Sequence, residues 1–200
     1  MSGTGGGGRE KSMFARTERL LLRPAWAEDA PALFAAIADE GIVRNLATAP
    51  WPYLPEHAEA FVMRERDPAR PTSLIFLRTD GAPLLVGAIG IHDTPDGEVE
   101  LGYWIARPYW NRGFATEAGR AVIGFACNSL RLRRLVAGHF IDNPASRRVL
   151  RKLGFTPAGA VRSRFSAGRG AEAECAELEL ELAAAPVTVS KPAPACMMAA

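Results

Sequence analysis

The stretch from Glu98 to Asn128 constrains the fold more than any other: EVELGYWIARPYW, then NRGFAT, then EAGRAVIGFACN. Val99, Leu101, Tyr103 and Ile105 alternate with Glu98, Glu100, Gly102 and Trp104, the period of a strand with one apolar face. Arg107 and Pro108 end that run. The small-residue corner Asn111-Arg112-Gly113-Phe114-Ala115-Thr116 follows, and then Ala118, Ala121, Val122, Phe125 and Ala126 recur at helical spacing. A strand, a glycine turn and a helix in that order aim free N–H groups and the positive end of a helix dipole at one spot. Such a spot suits a phosphate or pyrophosphate. The corner has one glycine where the dinucleotide fingerprint wants three, and it lacks the Gly-Lys-Ser or Gly-Lys-Thr of a P-loop. Taken alone, it reads equally well as an ordinary strand-to-helix connection relieved by Gly113.

The rest of the chain supplies partners for this unit. Thr17 to Arg23, TERLLLR, predicts a first strand stopped by Pro24. Glu28 opens a helix to about Ala38, with Pro31 in its first turn and Leu33, Phe34 and Ile37 inward. Gly41 to Pro55 reads as an aromatic, proline-rich loop that is either a plain connection or, through Trp51 and Tyr53, a wall facing a substrate. His57 to Asp67 predicts a second helix, with Phe61 and Val62 inward and His57 in a solvated first turn. Ser73–Arg78 and Leu84–Ile91 form a meander about the Asp80-Gly81 turn.

After the central unit, Leu132 to Phe140 is a strand. Asp142 to Ser146 turns into a helix with Val149, Leu150 and Leu153 on one face and Gly154 closing it. Phe155–Val161 and Glu174–Leu182 read as two terminal strands around a loose Gly168-Arg169-Gly170 loop. The last strand is expected at an edge, free to pair between subunits, so the chain is a monomer or a homodimer. The pattern is a mixed α/β single domain over residues 16–183. A glycine-rich, disordered extension is expected at 1–15 and a flexible tail at 184–200.

Composition removes several function classes. The formal net charge is +2, from 24 basic and 22 acidic residues spread along the chain, so nucleic acid is not an expected partner. Cys127, Cys175 and Cys196 lie far apart, and His57, His92 and His139 form no cluster, which argues against a disulfide scaffold or a metal site. The apolar runs are too short or too interrupted to cross a bilayer, and the first residues have no signal-peptide stretch, so no membrane partner and a cytoplasmic location are expected.

Two segments together carry a family resemblance. Trp110-Asn111-Arg112-Gly113-Phe114-Ala115-Thr116-Glu117-Ala118 resembles the acyl-CoA pyrophosphate loop of the GNAT family of N-acetyltransferases. Asn143-Pro144-Ala145-Ser146-Arg147-Arg148-Val149-Leu150-Arg151-Lys152-Leu153-Gly154-Phe155 is similar to that family's second cofactor-binding motif. TERLLLRP and VELGYW are similar to the RimJ/RimL-type branch, which includes ribosomal-protein N-terminal acetyltransferases. Asn111 departs from the glycine common in that branch. Asparagine tolerates unusual backbone angles, so a loop that works through its N–H groups can accept it.

The resemblance implies a mostly antiparallel mixed sheet splayed into a V, flanked by about four helices, with acetyl-CoA as acyl donor and CoA as product. N–H groups from Arg112 to Thr116 (Arg112, Gly113, Phe114, Ala115, Thr116) would grip the pyrophosphate. The strand containing Tyr103, Trp104 and Ile105 would line the pantetheine arm, with an N–H near Tyr103 or Trp104 meeting the acetyl oxygen. Glu100 is the first candidate for the base and is alternatively a surface or recognition group; Glu98, Asp93 and His92 are the others. Ser146 is either a donor to the leaving thiolate or a cap for its own helix, and Asn143 either a cofactor ligand or the side chain that turns the backbone into that helix. Arg148 and Lys152 are placed toward the adenosine end. Arg44, Trp51, Tyr53 and His92 are candidate substrate-binding residues, in walls drawn from Arg44–Tyr53, His92–Gly97 and Val161–Gly170. The function implied is transfer of an acetyl group to a small-molecule amine or a protein N-terminus. A silent acyl-CoA-binding module is the alternative, and a nucleotide-binding oxidoreductase a weaker one for want of glycines.

Overall fold

The computed structural model describes residues 13–159 and 161–182. The extension before residue 13 and the tail from 184 lie outside the described residues. Within them a nine-stranded sheet runs in the order β1 (Ala15–Arg16), β2 (Leu20–Arg23), β3 (Thr72–Leu77), β4 (Leu84–Asp93), β5 (Val99–Ile105), β6 (Arg134–Phe140), β9 (Ala171–Glu181) and β7 (Thr156–Pro157), with β8 (Arg162–Ser166) also pairing β9. Every pairing is antiparallel except β5 with β6.

The sheet is covered on both faces, and the period of its strands sorts residues between them. One face packs on α4 (Phe114–Asn128) and α5 (Pro144–Lys152), where Ile89, Ile91, Leu101, Leu135 and Ala137 meet Phe114, Ala118, Val122 and Leu150. The other packs on α1 (Ala30–Ile37), α2 (Glu40–Val43) and α3 (Pro55–Val62), where Ala88, Leu74 and Phe76 meet Leu33, Ile37, Val43 and Val62. Each fully buried leucine or isoleucine here stabilises by roughly 1.5–3 kcal/mol.

Several boundaries differ from those read in the sequence. Residues 13–15 belong to the domain: Met13 is 2% exposed in the core and Ala15 pairs with Leu22. The segment read as a loop from Gly41 contains part of α2, whose N-cap Asp39 accepts from the Gly41 N–H and whose Ile42 and Val43 are buried. The second helix ends at Val62, not Asp67. Most of the strand expected at 155–161 lies later, at β8, while only Thr156–Pro157 pairs in the expected place.

The 168–170 turn is also fixed, because a Cβ at Gly168 would lie 2.4 Å from the Val43 carbonyl oxygen and Arg169 pairs with Asp142 at 2.8 Å. Finally, β9 is not an edge. β6 takes one side of it and β7 and β8 the other, so the expected route to a homodimer through this strand is closed.

Candidate active site

β5 and β6 share one bridge, Glu100↔Val136, and beyond it the two parallel strands part. At that end of β5 the Ala106 N–H donates to the Val86 carbonyl at 2.8 Å, which turns the N–H groups of even-numbered residues toward β4. The N–H groups of Tyr103 and Ile105 therefore face the opening. The Trp104 N–H is turned to β4, so of the two backbone donors expected for an acyl oxygen only Tyr103 is on the correct edge. The Ile105 carbonyl accepts from the Trp110 indole at 2.6 Å, and this bond fixes the corner to the end of the strand.

The opening continues into a cleft of about 1070 Å³. Gly113, at φ +80°, and Asn111, at φ 61°, both take left-handed backbone, which brings the chain sharply into α4. Helical bonding starts with the Glu117 N–H on the Gly113 carbonyl at 3.0 Å, so the N–H groups of Phe114, Ala115 and Thr116 precede the ladder without helical acceptors. All three residues, with Gly113, line the cleft.

Arg19 holds this corner in place, which the sequence did not reveal. It donates to the Arg112 carbonyl at 3.1 Å and to Glu117 at 2.8 Å, and its guanidinium lies 4.8 Å from the centre of the Phe114 ring. Glu117 is drawn below the usual carboxylate range, since bonds from Thr17 and Arg19 outweigh its burial. Arg112 itself turns its guanidinium to the Tyr109 ring, 5.4 Å away, and lies off the cleft.

On the α4–α5 face, the Tyr103 hydroxyl and Ser146 Oγ are 2.8 Å apart. Asn143 caps α5, its Oδ1 accepting from the Ser146 N–H at 3.1 Å. This is the turn-forming role, and Asn143 lines the cleft as well. Burial pushes the Tyr103 hydroxyl up to about 12, only partly offset by Ser146, so it stays protonated at neutral pH. Ser146, Arg148 and Lys152 line this side. The sequence singled out Tyr103 for its backbone alone; the hydroxyl pair joins β5 to α5 and is invisible to strand periodicity.

On the opposite face lies the main surprise. Glu100, expected on a half-exposed polar face, is 6% exposed and held by Arg164 of β8 through two bonds of 2.7 Å. Arg164 reaches it across Gly138, where a Cβ would stand 2.9 Å from the guanidinium and 3.0 Å from Cys175 Sγ. Burial alone would raise the Glu100 carboxyl, but His92, with Nε2 3.6 Å away, and the Arg164 guanidinium outweigh it and bring the carboxyl down to about 2. A carboxylate so stabilised is a poor acceptor for an ammonium proton.

The other acidic candidates are tied down too. Glu98 pairs with Arg134 at 3.0 Å and Asp93 with Arg70 at 2.7 Å, and neither lines the cleft. Of the substrate candidates, Tyr53 and His92 line it and Trp51 does not; Arg44 lines it but pairs with Asp142 at 3.0 Å. His57 accepts from the Leu54 N–H at 3.0 Å, a capping role. Among the described residues no group of three His, Cys, Asp or Glu could hold a metal ion, and no helix is long and apolar enough to cross a membrane.

Known proteins share this fold. The family model for the acetyltransferase (GNAT) domain matches residues 19–156. An uncharacterized N-acetyltransferase of Bacillus subtilis, YoaA, is 31% identical over 153 residues, which is 73% of this chain and 84% of that protein. A GNAT-family acetyltransferase from Bacillus anthracis superposes with a TM-score of 0.72 at 24% identity, over 84% of this chain and 98% of that one. RimL, a ribosomal L7/L12 alpha-N-protein acetyltransferase solved with coenzyme A, superposes at 0.69 with 19% identity, over 85% and 98%. With the mixed sheet parted between β5 and β6 and the glycine corner at its mouth, the chain belongs to the GNAT family of acetyltransferases.

Proposed function

We propose that this protein moves an acetyl group from acetyl-CoA to a primary amine by direct attack, with both substrates bound together. The observation that carries this reading is the lone Glu100↔Val136 bridge: past it, the open edge of β5 and the free N–H groups of Phe114–Thr116 share one cleft. Bound acetyl-CoA supplies an activated acyl group with a sulfur leaving group. The N–H groups of Gly113 to Thr116 fit its pyrophosphate, and Arg148 and Lys152 add positive charge along α5. The Tyr103 N–H is the donor toward the acyl oxygen. Either hydroxyl of the Tyr103–Ser146 pair can donate to the other, and with Tyr103 as donor the serine proton is left for the departing sulfur.

Strand period separates the two halves of the reaction. Tyr103 points to the α4–α5 face, while Glu100, Trp104 and, on β4, His92 point to the face of α1–α3. The acceptor enters on the second face, where Tyr53, Phe61 and Trp104 line the cleft. Within the family we place the chain in the RimJ/RimL-type branch, acting in the cytoplasm on the amine of a protein or peptide N-terminus. The similarity of VELGYW and TERLLLRP to that branch supports this. A second reading, an acyl-CoA-binding module without turnover, is favoured by the neutralisation of Glu100 by Arg164.

Thiol release from acetyl-CoA decides between them, using short peptides with Ser, Thr, Ala or Met at the N-terminus, amino acids, polyamines and aminoglycosides. Turnover with peptides alone is the expected result. Tight CoA binding in a calorimetric titration with no turnover selects the silent module, and absence of CoA binding overturns both.

A further inference from the structure

We propose that His92 takes the proton from the acceptor amine, and that Glu100 and Arg164 are positioning residues which hold it over the reacting edge. This rests on the acetyl-transfer reading and names the proton acceptor that reading lacks. The Glu100 carboxylate is spent on Arg164, and the other carboxylate lining the cleft, Asp142, is held by Arg44 and Arg169. The Cys175 thiol is pushed up by burial. His139 is buried with Nδ1 3.0 Å from the Phe140 carbonyl oxygen, and its place next to Gly138 in β6 turns it to the face opposite Glu100. His57 has its Nδ1 engaged at the start of α3.

His92 differs from all of these. Its side chain is 54% exposed, so an acceptor can reach it, while its Nε2 faces the buried Glu100. The ring lies over Gly102, with Cε1 3.6 Å and Nδ1 3.9 Å from where a Cβ would stand. Gly102 directly precedes Tyr103, whose N–H faces the opening. The imidazole thus packs at contact distance over the residue next to the donor to the acyl oxygen, with its Nε2 toward the carboxylate and its Nδ1 the remaining nitrogen. The titratable and charged groups around it are Glu100 from β5, Arg164 from β8, Cys175 from β9, Asp93 at the end of β4 with its partner Arg70 from the segment before β3, and Arg64 of the segment after α3 across the cleft.

The step balances without a further reactant. An alkylammonium loses one proton to solvent as it enters as the neutral amine. Its nitrogen forms a bond to the acyl carbon while the carbon–sulfur bond breaks. The surplus proton on nitrogen passes to His92 Nδ1, and the sulfur takes one from the Ser146–Tyr103 pair. His92 returns its proton to water through its exposed side and the hydroxyl pair regains one, so each ammonium acetylated releases one proton overall.

The test uses the full chain with acetyl-CoA and the tripeptide amide Ala-Ala-Ala-NH2. His92→Ala is expected to lower kcat about 100-fold or more and to lose the acidic limb of the kcat/KM profile. Its CoA affinity by calorimetry is expected to stay at the parent value, and added imidazole to restore turnover in proportion to its free base. Glu100→Gln is expected to keep an acidic limb. Parent rates and profile in His92→Ala overturn the proposal, as does a loss that imidazole does not repair or a limb that vanishes only in Glu100→Gln. A parent protein that binds CoA but releases no thiol with this or any other amine overturns the acetyl-transfer reading instead, and His92 as base falls with it.

Discussion

Replacing Glu100 with glutamine keeps the shape of the side chain and removes the charge that Arg164 and His92 surround. The carboxyl titrates near 2 in the folded chain against 4.5 ordinarily. At about 1.4 kcal/mol per decade, that difference corresponds to roughly 3 kcal/mol of stability. The sign follows from the depressed value: the contribution is complete above pH 4.5 and is lost as pH falls toward 2. The gap in unfolding free energy between parent and Glu100→Gln is therefore about 3 kcal/mol near neutral pH and narrows by about 2 kcal/mol between pH 6 and pH 3. Urea unfolding followed by tryptophan fluorescence at a series of pH values measures it. Asp29, Glu117 and Asp142 are also depressed, but they titrate in both proteins and cancel in the difference. A gap that stays constant from pH 6 to pH 3 refutes the assignment of a stabilised, ion-paired carboxylate at 100.

Three further outcomes are expected. Gly138→Ala puts a methyl 2.9 Å from the Arg164 guanidinium and 3.0 Å from Cys175 Sγ, so the guanidinium must shift against Glu100; it should cost about 1 kcal/mol in the same urea experiment and weaken the pH dependence. Ser146→Ala should reduce kcat about tenfold or more with CoA affinity nearly unchanged, and Tyr103→Phe should reduce it in the same direction; parent kinetics in both remove the hydroxyl pair from the mechanism. Gly113→Val imposes a β-branched residue at φ +80°, a strain of about 1–3 kcal/mol, and should weaken CoA binding at least tenfold in a calorimetric titration while cooperative unfolding is retained.

Local pattern was enough for much of this molecule. The β5–α4 unit, the glycine corner and the cap of α5 at Asn143 rest on residues within a few positions of one another, so strand period, helix period and turn chemistry expose them directly. Even the tolerance of Asn111 for left-handed backbone follows from its own side chain. The acceptor half was not legible in this way. Arg164 is 64 residues from Glu100 and Arg19 is 98 from Glu117, and nothing in the spacing of either pair marks it.

What the sequence determined alone was most of the order of elements, the glycine corner before α4 and the family. The tertiary structure decided the state of the charges. Whether Glu100 is a base or a clamped anion depends on a guanidinium brought from β8 across a glycine in β6, and whether His92 is a surface residue or a proton acceptor depends on the buried carboxylate of β5 that its Nε2 faces. Protonation is set by burial and by neighbours within a few ångströms. Those neighbours are chosen by strand order, and strand order here pairs β9 with β6 on one side and with β8 on the other.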